Sequence, residues 1–83
     1  MSNHPLIKII GINLGIASEV RDKDKTLYKF YLLLIRELIA RYRSIEQYGD
    51  EDRYKELISP KPLPDNLEKG EELLYKQFME IKN

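Results

Sequence analysis

Apolar residues between positions 24 and 49 recur at three- and four-residue steps: Leu27, Phe30, Tyr31, Leu34, Leu38, Ile45 and Tyr48. This is the spacing of one face of a helix with about 3.6 residues per turn, and it predicts a long central helix over 25–48. Asp24 or Thr26 is placed to cap its first amides, and Gly49 to close its last turn in the left-handed conformation. Glu37 and Arg41, four apart with the acid first, add a small favourable pair. Leu32, Leu33, Ile35 and Ile39 fall off this stripe, toward the side carrying Lys29, Arg36 and Arg43. The middle turns are therefore apolar almost all round, which requires cover on more than one side. The three basic residues, spaced by seven, are expected to mark the solvated edge.

The segment before it admits two periods. Pro5 suits a first helical position, and Leu6, Ile10, Asn13 and Ala17 with Ile9 and Ile16 make a helical face. Leu6, Ile10, Ile12, Leu14 and Ile16 also alternate as in a strand, and Gly11 and Gly15 each weaken a helix by roughly 1 kcal/mol. No second strand-like segment exists to pair with, so the pattern is read as a helix over 5–17. After Gly49, residues 50–58 predict a short helix with acids in its first turn. Pro60, Pro62 and Pro64 then predict an extended connector over 59–64. A final helix over 66–81 carries Leu67, Leu74, Phe78 and Ile81 on one face with Gly70 in line. Asp65 or Asn66 is its cap, and Asp65 with Glu68 approximates a capping box.

Size changes how these elements must be held together. A chain of 83 residues sits near the limit below which one core rarely supplies much net stability. With no cysteine, disulfides and thiolate metal sites are excluded, and the absence fits a reducing, cytoplasmic setting. The remaining staple is packing, including packing against another chain. The central run is too short in apolar residues for a membrane span, and the N-terminal run has the wrong flanks for a secretory signal.

Lys plus Arg and Asp plus Glu number 14 each, so no net field recruits nucleic acid or an anionic membrane. The halves differ: residues 1–48 carry eight basic and five acidic side chains, residues 49–83 six and nine. That opposite polarity suits antiparallel packing, within a chain or between chains.

Catalytic chemistry finds little to use. His4 is the single histidine, and the carboxylates sit in charged, solvated contexts with no sign of a desolvated acid. Asp50, Glu51 and Asp52 lack the order of a calcium loop and read as helix-start acids. No cofactor or metal is expected. Gly11 and Gly15 have the spacing that lets helices approach closely, but nothing after them makes a phosphate loop.

Tyrosine is more informative, with six residues against no tryptophan. Tyr42, Tyr48 and Tyr54 cluster around Gly49 with Arg41, Arg43 and Arg53, a composition enriched at protein interfaces. The expectation is an all-α small helical bundle with one long central helix, completed by oligomerisation around Tyr31, Leu34, Leu38 and Ile45. In function it is expected to be a non-enzymatic adaptor, regulator or accessory subunit that meets an unidentified protein through Arg41, Tyr42, Arg43, Tyr48, Arg53 and Tyr54. Two alternatives accompany it: nucleic-acid binding through Lys29, Arg36 and Arg43, and membrane-surface attachment through residues 6–17.

Overall fold

Local capping sets the helix boundaries. In the computed structural model, which describes residues 4–58 and 63–83, helix α1 spans Pro5–Val20. Pro5 stands at its start, and the amide of Leu6 donates to His4 Nδ1 at 3.1 Å. Helix α2 spans Lys25–Tyr48. Asp24 rather than Thr26 caps it, accepting from the Leu27 amide at 3.0 Å. Gly49 ends it at φ 68°, with its N–H donating to the Ile45 carbonyl at 2.9 Å. Helix α3 spans Leu67–Lys82 and is capped by Asn66, whose side chain accepts from the amides of Glu68 and Lys69. Asn66, not Asp65, therefore holds the cap, and the expected Asp65–Glu68 box does not form.

Two expectations change in extent or kind. Residues 5–17 are helical, and the helix continues through the polar residues to Val20. The segment after Gly49 is a 3-10 helix, Glu51–Glu56, started by the Asp50 side chain accepting from the Asp52 amide at 2.9 Å. The Ser44 hydroxyl, fully buried, donates to the Asp50 carbonyl and fixes this turn against α2. Of the connector expected over 59–64, residues 59–62 lie outside the described residues. Among the described residues there is no strand.

The core lies where α1, α2 and α3 meet. α1 contributes Ile7, Ile10, Leu14 and Ala17, and α3 contributes Leu74, Phe78 and Ile81. From α2 come Tyr28, Leu32, Ile35, Ile39 and Tyr42. This corrects the reading of α2. Of the residues that fell off the stripe, Leu32, Ile35 and Ile39 line the core while Leu33 is exposed, and much of the stripe faces outward. On α1, Ile9 is likewise exposed, not packed. A Cβ at Gly11 would stand 3.2 Å from Phe78 Cζ, so glycine there lets the α3 ring approach the α1 backbone, whereas Gly15 has open space beside it.

Polar ties brace both ends of the three-helix packing. The Tyr28 hydroxyl, on a residue 1% exposed, donates to Glu71 Oε1 at 2.6 Å and lies 3.2 Å from the Leu67 carbonyl. Arg21 reaches the same carboxylate at 3.5 Å, so the ends of α1, α2 and α3 share one network. At the other end His4 stands edge-on to Tyr42, with ring centroids 5.4 Å apart. The Cα envelope measures 37 × 27 × 17 Å. Its 17 Å axis holds only two helix layers, so a broad face of each layer is left to the outside.

Candidate interaction surface

The outward side of α2 carries an apolar row. Leu27, Phe30 and Leu34 are 39%, 64% and 40% exposed, spaced as i, i+3 and i+7 on one side of the helix. Tyr31, Leu38 and Ile45 are half-buried, and Tyr31 and Leu38 close the edge of the core beneath the row. Of the four residues expected at an oligomer interface, Leu34 is the most open. The row's centre is displaced toward the N-terminal half of α2, to Leu27 and Phe30. α1, the other arm of the same hairpin, adds exposed Ile9 and Ile12. Ile9 was missed because it was counted in the helical packing face, and Ile12 because it was read only in the strand-like alternation; the sequence alone could not say which side of α1 its partners take.

The Tyr/Arg end is organised differently from the expected open patch. Tyr42 is 5% exposed and belongs to the core, so it is withdrawn from the partner-binding set. Its position on α2 follows Tyr28, Leu32, Ile35 and Ile39 at helical steps, which was the available signal. Arg41 lies 4.0 Å from the centre of the Tyr54 ring and pairs with Glu37 at 3.6 Å and Glu51 at 3.3 Å. Arg53 lies 3.8 Å from the Tyr48 ring centre and pairs with Glu56 at 2.6 Å. The hydrogen bond from Arg53 holds the Glu56 carboxyl below the usual range. These guanidinium–ring and guanidinium–carboxylate contacts clasp the 3-10 helix onto α2, using the interface-type residues to close the chain on itself.

The basic edge also meets protein. Arg43 Nη2 pairs with Glu80 of α3 at 3.2 Å, and Arg36 is half-buried beside it. Arg36 and Arg43 line a cleft of about 370 Å³ between α2 and α3, with Ile39, Leu57, Leu63 and Leu74. Lys29 is the member of the expected solvated edge that remains exposed. The reason is geometric: Ile39 and Leu74 bring α3 against α2, and residues at the margin of that contact are partly covered.

The acids Asp50, Glu51 and Asp52 act in capping and pairing at the 3-10 helix. Among the described residues, no group of three or more His, Asp or Glu is gathered as a metal site. No described helix is long and apolar enough to cross a membrane. Against known protein families, curated proteins and solved structures, the chain finds no match.

Proposed function

We propose that this protein is a non-enzymatic interaction module that self-associates through the outer face of the α1–α2 hairpin, with a second copy of the chain as occupant. The observation that carries this reading is the exposure of Phe30, at 64%, between Leu27 and Leu34 on a helix whose opposite side already fills the core. A phenyl ring held open on an ordered helix gains most from a partner that buries it.

The available area agrees. α2, with 24 residues, is roughly 36 Å long and about 10 Å across, and α1 beside it is roughly 24 Å long. The hairpin face thus has a footprint on the order of 600 Å², near the ~800 Å² of accessible surface per partner in standard interfaces. The small chain has no disulfide, and burying this face supplies the added stability that one core of this size lacks.

The test is the double substitution Phe30→Glu with Leu34→Glu. The variant is expected to keep its helical circular dichroism and to lose the assembled mass of the parent chain. An assembled variant of unchanged mass would remove this face from consideration.

A further inference from the structure

From the cleft between α2 and α3 we infer a binding site for a small amphipathic anion: a singly charged carboxylate carried on a short apolar body. This inference does not rest on the self-association proposed above. Arg36, Ile39, Ala40 and Arg43 form the α2 wall of the cleft. At 3.6 residues per turn they lie on a different side of the helix from Leu27, Phe30 and Leu34.

Volume and lining set the size and character of the ligand. The volume of about 370 Å³ falls at the small end of the range for ligand pockets, roughly 300–1,000 Å³. Ile39, Leu57, Leu63 and Leu74 supply apolar walls, and Leu73, 50% exposed, adds apolar surface that a bound chain of methylenes would cover. The polar side chains are few: Arg36 and Arg43 from α2 and Gln77 from α3. Among the described residues that line the cleft there is no acid. Mostly apolar walls with a few polar groups to fix orientation are what a small-molecule site requires.

The carboxylate head belongs at Arg43. Its Nη2 donates to Glu80 at 3.2 Å, its Nε is enclosed without a hydrogen-bond partner, and its side chain remains 43% exposed. A guanidinium carries five N–H donors, so one pair at its edge leaves capacity for a second oxyanion. Gln77, one turn before Glu80 on α3, lines the same cleft and offers an amide donor. Arg36 stands two turns before Arg43 on α2, roughly 10 Å away along the axis, and gives the wall a second basic group. Glu80 and Glu46 adjoin Arg43 from outside the cleft, so positive charge is not in large surplus there. Recognition therefore rests on directed hydrogen bonds from the guanidinium and on burial of the apolar body, not on the net field. A cation of the same shape would gain the apolar contribution but set a like charge against Arg43.

The test titrates octanoate into the unaltered, isotope-labelled chain and follows backbone amide shifts, with octylammonium as the probe of equal chain length and opposite charge. Octanoate is expected to give saturable shifts at Ile39, Ala40, Leu57 and Gly70, and to bind roughly tenfold or more tightly than octylammonium. Two variants then break the Arg43–Glu80 pair from opposite sides, each first shown to keep the parent's helical circular dichroism. Arg43→Met is expected to remove the preference for octanoate. Glu80→Gln frees the guanidinium and is expected to tighten octanoate binding by roughly twofold or more. A merely structural role for the pair would move both variants in the same direction. The absence of saturable shifts with octanoate overturns the site, as do equal affinities for the two probes or shifts centred on Leu27, Phe30 and Leu34. Variants that weaken octanoate binding alike overturn the assignment of the head to Arg43. The contrast between the two probes on the unaltered chain decides the proposal even where a variant does not fold.

Discussion

The Tyr28 hydroxyl and the Glu71 carboxylate, 43 positions apart in sequence, lie 2.6 Å apart and join α2 to α3 at the buried end of the core. Arg21 shares that carboxylate, so removing the hydroxyl leaves a partly enclosed charge with one long ion pair. Tyr28→Phe is expected to cost about 1–3 kcal/mol. In a domain of this size that lowers the midpoint of thermal unfolding by roughly 4–8 °C per kcal/mol.

The same contact gives a signed pH dependence. Burial, the hydrogen bond to Glu71 and the nearby negative charge push the Tyr28 phenol well above the usual tyrosine value. A raised folded-state pKa means the stabilisation is whole below the unfolded value of about 10 and is lost as pH climbs beyond it. The stability gap between the parent chain and Tyr28→Phe should therefore be constant from neutral pH to about 9 and shrink at higher pH. Urea unfolding at a series of pH values measures it, and a gap that widens above pH 10 would contradict the assignment.

The glycines of α1 should respond unequally to alanine. Gly15 has nothing within 4 Å of an added Cβ, so Gly15→Ala is expected to stabilise by about 0.5–1 kcal/mol through helix propensity alone. At Gly11 the Phe78 ring stands at 3.2 Å in a packed core and must shift, so Gly11→Ala should fall below Gly15→Ala in denaturant midpoint.

Gly49 is governed by backbone geometry instead. Its φ of 68° is left-handed, and an alanine there should cost about 1–2 kcal/mol although the surrounding space is open. Calorimetry of Gly49→Ala beside Gly15→Ala would show opposite signs.

Arg43 tests how far the basic edge contributes to the fold. Its pair with Glu80 is largely exposed, and its Nε is enclosed with no hydrogen-bond partner. Losing a surface pair costs at most about 1 kcal/mol, while removing an unmet buried donor returns a comparable amount. Arg43→Met is therefore expected to leave the unfolding midpoint within about 1 kcal/mol of the parent. A large loss would assign the guanidinium a structural role beyond these contacts.

What could be read from the chain was what is decided locally. Pro5 at the start of α1, Asp24 before α2 and Gly49 after it mark boundaries through their own backbone chemistry, with no help from distant residues. The α3 face was legible too, because Leu74, Phe78 and Ile81 stand on an otherwise polar helix. α2 was different. Leu27, Phe30 and Leu34 on one side and Leu32, Ile35 and Ile39 on another are equally apolar and equally periodic, so periodicity alone cannot say which pair of helices claims which side. Tertiary packing broke the tie in favour of the side with Tyr28 and Tyr42, whose hydroxyl and ring find partners on Glu71 and His4. Of the Tyr/Arg group around Gly49, Tyr54 and Tyr48 stand against Arg41 and Arg53, while Tyr42 lies in the core and Arg43 turns to Glu80. The group's role turned on contacts with Glu37, Glu51 and Glu56 that composition does not reveal.

The mass of the unaltered chain in solution, measured by light scattering across a dilution series, tests the central proposal most directly. Self-association through the hairpin face predicts a species near twice the 9.9 kDa chain mass that gives way to the single chain on dilution. A mass of one chain at every concentration, with Phe30 open to solvent, would contradict it.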